Sequence, residues 1–276
     1  MGQKTGVLGN IAWYSFLTII GLLMVLPFYW TIMTSLKPNS EIFDQASFWF
    51  PRMFTMEHYV SVFTQFPFPR YFLNSAYLAS AGVLTNLFLG SLAGYSFAKL
   101  FFRGRKVIFA VLLSSMMIPG IVNLVPSFLI IRSLGMVNSY WAIILPGAVG
   151  AFAVFFMKQF FQSLPAEMGE AARIDGCPEF RLFWQIYLPL TKPALATLGI
   201  MTFQGGWNNF MWPLIVLNDE LRMPLQVGLA RFAFNNGSDI GPLMAGAVIT
   251  ALPMLVIFMF AQKYFVKGIA FSGNSN

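Results

Sequence analysis

The chain carries very little charge. Of its 276 residues only 10% are Asp, Glu, Lys or Arg, against about 25% in an ordinary soluble domain, so a water-facing fold of this length would lack polar surface. Cysteine and histidine are nearly missing, at one each. A single cysteine, Cys177, excludes an internal disulfide. There is no His, Cys and carboxylate cluster, no H-E-x-x-H, no G-x-S-x-G and no G-x-x-x-x-G-K-[ST]. Metal-assisted hydrolysis, serine nucleophilic chemistry and ATP binding of the phosphate-cradle kind therefore have no residues to act through. The chain is read as a non-enzyme that needs neither cofactor nor resident metal.

What is abundant is apolar. Hydrophobic residues make up 57%, with 31 Phe and 16 Met. They fall into six runs, 11–34, 73–97, 107–131, 141–162, 194–217 and 242–265, each close to the roughly 20 residues that span about 30 Å of hydrocarbon. The expected fold is all-α, a polytopic membrane protein with six transmembrane helices and a single domain over 1–276. The first run exceeds the about 7 to 15 apolar residues of a signal-peptide core and is followed by no cleavage pattern, so it is expected to remain as a membrane helix.

Lys and Arg concentrate on the cytoplasmic side of a membrane protein. With the N-terminus inside, Lys4, Lys99, Arg103, Arg105, Lys106, Lys158, Arg173, Arg181, Lys192, Lys263 and Lys267 are inner, 11 bases against 6 outer ones. The inner set holds four acids, so 11 minus 4 accounts for the whole formal net charge of +7, while six outer acids balance six outer bases. Both termini are then cytoplasmic. The bases are spread over short loops, a poor match to nucleic acid.

The longest outer stretch, 37–71, is aromatic and proline-rich, and TMEHYVSVF within it suits a short interfacial helix. Gly90 and Gly94 form a GxxxG pair in the second run, expected to serve close helix packing within the bundle. Prolines 119, 126, 146 and 253 each remove a helix hydrogen bond, with neighbouring groups expected to satisfy the freed carbonyls.

One segment breaks the apolar pattern: SLPAEMGEAARIDGCPEFRLFWQIYLPLTKP, at about 163–192. Arg173, Asp175 and Arg181 would each cost about 2.5 to 3.5 kcal/mol at mid-bilayer, so it is a cytoplasmic loop. Ser163 is a candidate N-cap, 166–174 are good helix formers, Gly176 offers a positive-φ stop, and a second helix starts at Pro178 and ends before Pro189. The first helix has small residues, charges, and Met168, Ala172 and Ile174 for an apolar side. It suits docking in another protein's groove, or equally a solvated connector with Glu170 and Arg173 in an exposed pair.

Glu170, Ala171, Ala172, Asp175, Gly176, Ile186, Leu188 and Pro189 follow the spacing of the EAA loop, and the chain resembles the permease subunits of ABC importers. The stretches SLPAEMGEAARIDG, FQGGWNNFMWPLIVL and QKYFVKGIAFSG are similar to the carbohydrate-uptake, maltose-type members, in particular the smaller six-helix partner. The resemblance implies half of a translocation pore for a sugar or oligosaccharide, in the bacterial or archaeal cell membrane. It also implies a second permease subunit, two ATP-hydrolysing subunits and an external solute-binding protein as partners. Glu170, Ala171, Ala172, Asp175 and Gly176 would form the coupling helix and its turn, and the C-terminal tail KGIAFSGNSN would reach between the ATPase subunits, whereas its composition by itself suits a frayed terminus.

In the fifth run, Gln204, Asn208 and Asn209 are flanked by Trp207, Phe210 and Trp212. Amides beside rings suit a sugar path, or the rings belong to an interfacial belt and the amides join helices. Asn123 in the third run is a further candidate on the same logic. The alternative function is an ion-coupled secondary transporter or channel. Such proteins place ionisable residues inside their spans, and here none stands at a span centre.

Overall fold

The computed structural model describes residues 7–235 and 239–272; Lys4 and the last four residues of the tail lie outside them. Among the described residues there is no strand. The helices in chain order are α1 Val7–Ser35, α2 Glu57–Gln65, α3 Phe68–Lys99, α4 Arg105–Met116, α5 Gly120–Ser133, α6 Trp141–Ser163, α7 Glu167–Ile174, α8 Glu179–Leu190, α9 Lys192–Trp207, α10 Met211–Val216, α11 Leu225–Asn235 and α12 Ile240–Ser272. Four of them, α1, α3, α6 and α12, are long and apolar enough to cross a membrane, and the number is six where each of the bent pairs α4 with α5 and α8 with α9 counts as one span.

The expected third run is not one rod. It bends by 97° between Met116 and Gly120, where Pro119 supplies no N–H to continue the ladder. The fifth run is divided at 208–210 between α9 and α10, and α8 joins α9 at 80°.

Two compact units emerge, one holding residues up to Phe68 with Leu229–Leu252, the other Pro69–Gly228 with residues from Pro253 on. In the first unit α2 is the short helix expected in the outer loop. His58, on α2, is 3% exposed and its Nε2 lies 2.6 Å from the Lys37 carbonyl. The Lys37 ammonium donates to the Phe48 carbonyl at 3.0 Å, and burial pulls its pKa below the usual lysine range, with Glu41 opposing. A lysine in so dry a place is tolerated because the loop backbone accepts a hydrogen bond from its ammonium.

In the second unit the GxxxG pair does what close packing requires. A Cβ on Gly90 would lie 2.9 Å from the Ala153 Cβ, and one on Gly94 would lie 2.7 Å from the Met157 Cβ, so α3 and α6 approach at a distance only glycine permits. Beside them Tyr95, Met157, Phe161, Leu182, Phe183 and Tyr187 form a core of fully buried side chains. Tyr95 meets the Phe161 ring at 5.6 Å edge-on and the Phe183 ring at 5.2 Å.

Pro146 in α6 frees the carbonyl four residues earlier, that of Ala142. The Trp212 indole N–H from α10 donates to that carbonyl at 2.9 Å. A few residues on, where α6 loosens, Asn86 of α3 donates to the Gly147 carbonyl at 2.7 Å and accepts from the Gly150 N–H at 2.8 Å. Neighbouring side chains thus satisfy backbone groups that lipid would leave bare.

Candidate coupling elbow and polar path

Helix α7 begins at Glu167, with Ala166 at its cap position and no side-chain cap. Ser163 instead donates to the Phe160 carbonyl at 2.8 Å. Ser163 is the last residue of α6, and Leu164 after it is extended at φ −78° and ψ 139°, so Ser163 stands outside the first turn of α7 and cannot serve as its cap. Glu167 and Glu170 stand in the first turn, where negative charge suits the helix dipole.

The end of α7 closes as the sequence predicts. Gly176 has φ +76°, the Gly176 N–H donates to the Arg173 carbonyl at 3.0 Å, and the Cys177 N–H to the Ala172 carbonyl at 2.9 Å. These two bonds make a Schellman turn, whose left-handed residue glycine adopts without a Cβ penalty.

That turn brings Glu179 under Arg173. Arg173 Nε donates to Glu179 Oε1 at 2.6 Å, and Tyr95 of α3 donates its hydroxyl to Glu179 Oε2 at 2.7 Å. The two side chains of the ion pair are 38% and 45% exposed, so its Coulombic worth is small; its effect is to fix α7 against α8 and α3. The Glu170 to Arg173 pair of the connector reading is not among the ion pairs of the described residues. Lys99, at the end of α3, donates to the Leu164 carbonyl at 2.7 Å and lies 5.1 Å over the Tyr187 ring. Tyr187 in turn rests on α7: a Cβ on Gly169 would fall 2.3 Å from its hydroxyl.

Helix α8 does not end before Pro189. Its middle, Leu182–Tyr187, is π-helical, and Pro189 falls in the first turn of the α-helical segment that follows, a position where no N–H is needed. The apolar side expected for α7 is divided: Ala172 packs on the core, while Met168 is 43% and Ile174 86% exposed. Glu170, Ala171 and Asp175 are exposed, and among the described residues Glu170 joins no ion pair. The outward surface of α7 is therefore acidic with an apolar tip. Sequence reading missed Tyr95, Lys99 and Tyr187; their positions near polar loops were visible, their partners were not.

Of the candidate path residues, Asn123 and Asn209 line one cavity of about 290 Å³ together with Ser127 and Trp212. Gln204 and Asn208 are exposed and do not line it; Asn208 Oδ1 accepts from Gln226 Nε2 at 3.4 Å. Phe210 is half-buried. Trp207 is 1% exposed between Phe203, stacked at 5.7 Å, and Phe72, edge-on at 5.3 Å, which makes it core in this structure. Among the described residues no group of His, Cys, Asp and Glu is placed to hold a metal.

Comparison with known proteins agrees with this architecture. Residues 86–271 match the family described as binding-protein-dependent transport system inner membrane component. The arabinooligosaccharides transport system permease protein AraQ of Halalkalibacterium halodurans is 35% identical over 92% of this chain and 92% of its own length. The lactose transport system permease protein LacG of Rhizobium radiobacter is 30% identical over 95% of each. Among solved structures, a chain of a bacterial ABC transporter involved in import of the acidic polysaccharide alginate superposes with a TM-score of 0.85 at 26% identity, covering 96% of this chain and 99% of that one. A chain matched at this identity along nearly its whole length belongs to the family of inner-membrane permease components of binding-protein-dependent transport systems.

Proposed function

We propose that the chain is the permease subunit of an ATP-driven importer for a sugar or oligosaccharide. It forms half of the translocation pore with a second permease subunit and is moved by an ATPase docked on α7. Two ATP-binding subunits and an external solute-binding protein complete the assembly, in a bacterial cell membrane with both termini of this chain inside. The substrate class is supported by the relatives, whose names specify arabinooligosaccharides and lactose.

The observation that carries the coupling is the placement of α7. Its outer surface presents Glu170 and Ile174, and its inner surface is tied through Arg173, Glu179 and Tyr95 to the ends of two apolar helices. A push on α7 is then delivered to α3 and α8 instead of being absorbed by a slack loop. For the solute, Asn123 and Asn209 supply donors and acceptors beside the Trp212 ring, in a cavity at the lower edge of the roughly 300 to 1,000 Å³ usual for small-molecule sites. A lining of that size suits one stretch of a path. Gln204, Asn208 and Phe210 extend it only when the helices move.

The reading is tested by reconstituting the chain with its partner permease, ATPase and binding protein and measuring ATP hydrolysis and uptake. A sugar delivered by the binding protein is expected to raise both. Uptake that needs no ATPase and collapses with an ion gradient would assign the chain to ion-coupled transport instead.

A further inference from the structure

We propose that the turn between α3 and α4 is a binding site for an anionic phospholipid. Residues 101–107 enclose a concavity of about 610 Å³, and within it Arg103, Arg105 and Lys106 bring three positive charges into four residues. The sequence has no Asp or Glu between Glu57 and Glu167, and none of the three bases joins an ion pair among the described residues. Arg105 has a structural task, donating to the Leu100 carbonyl at 2.7 Å. Arg103 and Lys106 have no such task and are exposed.

The surroundings decide between an anion in water and one at a membrane edge. Phe101 is 96% exposed, with the Arg105 guanidinium 5.4 Å over its ring. A bare ring of this kind is unfavourable in water and suits the headgroup level of a bilayer. Immediately beyond the bases, Val107 and Val111 stand one turn apart on α4 at 67% and 65% exposure, with Ile108 beside them at 52%. The opposite side of α4 is used internally, Phe109 meeting the Phe97 ring at 5.4 Å and lying 4.1 Å beneath the Lys158 ammonium. Cations, an aromatic ring and then an aliphatic track follow one another as the phosphate, glycerol and acyl chain of a lipid do. Basic clusters next to a membrane helix attract anionic headgroups by about 1 kcal/mol per base. Arg103 and Lys106 would hold the phosphate, and Val107 and Val111 would carry the first part of the chain.

The test is native mass spectrometry of the purified full chain with equal amounts of phosphatidylglycerol and phosphatidylcholine. The wild-type chain is expected to retain phosphatidylglycerol selectively. R103Q/K106Q, which leaves Arg105 in place, is expected to lose that selectivity roughly twenty- to thirtyfold, and R103Q alone roughly fivefold. R181Q/K192Q, which removes two other exposed bases, is expected to keep it. Equal retention of both lipids by the wild type, unchanged selectivity in R103Q/K106Q, or equal loss in R181Q/K192Q would overturn the proposal. So would displacement by inorganic phosphate at the same concentration, which would mark a free-anion site. Loss of ATPase co-purification with lipid selectivity intact would assign the turn to a protein contact.

Discussion

Tyr95 and Glu179, 84 residues apart in the chain, meet at 2.7 Å through the phenol hydroxyl and one carboxylate oxygen. The other oxygen of the same carboxylate takes the Arg173 Nε at 2.6 Å. One side chain thus joins the last turns of an apolar helix to the helix expected to meet the ATPase. A charge-assisted bond of this kind is directional, and partial exposure limits what it adds to stability without loosening its geometry.

Removing the link is expected to hurt coupling more than folding. In Glu179→Gln the thermal midpoint in detergent should fall by about 2 °C or less, given the exposure of the ion pair, and in Tyr95→Phe, which keeps the buried ring and loses one hydrogen bond, by a few degrees. The number of sugars carried per ATP hydrolysed in proteoliposomes should fall severalfold. Wild-type stoichiometry in both variants would show that the link is structural only.

Gly169 offers a paired test. In Gly169→Ala the new Cβ would fall on the Tyr187 hydroxyl, forcing α7 away from α8, and ATPase co-purification should drop. Deleting that hydroxyl in a Gly169→Ala, Tyr187→Phe double variant should restore part of it, because the nearest remaining ring atom lies 3.2 Å away. An equal deficit in the double variant would contradict the contact.

Packing of α3 on α6 should fail when Gly94 gains bulk. Gly94→Leu is expected to cost about 1 to 3 kcal/mol and to lower the amount of folded protein recovered from membranes, since Met157 and the Lys158 backbone nitrogen at 2.9 Å have no room to yield. Recovery equal to wild type would mean the helices separate freely.

Asn86 carries a different load. Asn86→Leu would leave the Gly147 carbonyl and the Gly150 N–H without the partners they now have, each an unpaired group costing about 1 to 3 kcal/mol. Protease sensitivity near the middle of α6 should rise, and an unchanged digestion pattern would argue that water replaces the amide.

The features legible in the sequence are those set by local rules. The first, second, fourth and sixth apolar runs, the α2 helix and the Gly176 turn depend on residues within a few positions of each other, and each appears where composition or spacing puts it, while the third run is bent and the fifth divided. The close approach marked by Gly90 and Gly94 was legible as a type of contact, while Ala153 and Met157 as its targets were not. Arg173 illustrates the limit. On a helix wheel its natural partner is Glu170, but the Schellman turn folds Glu179 beneath it, and a partner across a turn is invisible to an i,i+3 rule. Ser163 failed as a cap because α6 runs through it and an extended Leu164 delays the next helix to Glu167, and Pro189 failed as a stop because it falls in the first turn of the segment after a π-helical turn. The Trp212 to Ala142 bond needed two helices in place before the freed carbonyl and the indole could be matched.

The central claim is that α7 receives the ATPase's motion through its exposed acidic surface and a turn that only glycine makes easily. It is tested most directly by uptake of the cognate sugar in proteoliposomes carrying the assembled importer with Glu170→Lys or Gly176→Leu, at membrane levels equal to wild type. The account predicts that both abolish uptake, the first by reversing a docking charge and the second by straining a residue at φ +76°. Wild-type uptake by both variants would contradict it and leave the elbow a connector between two helices.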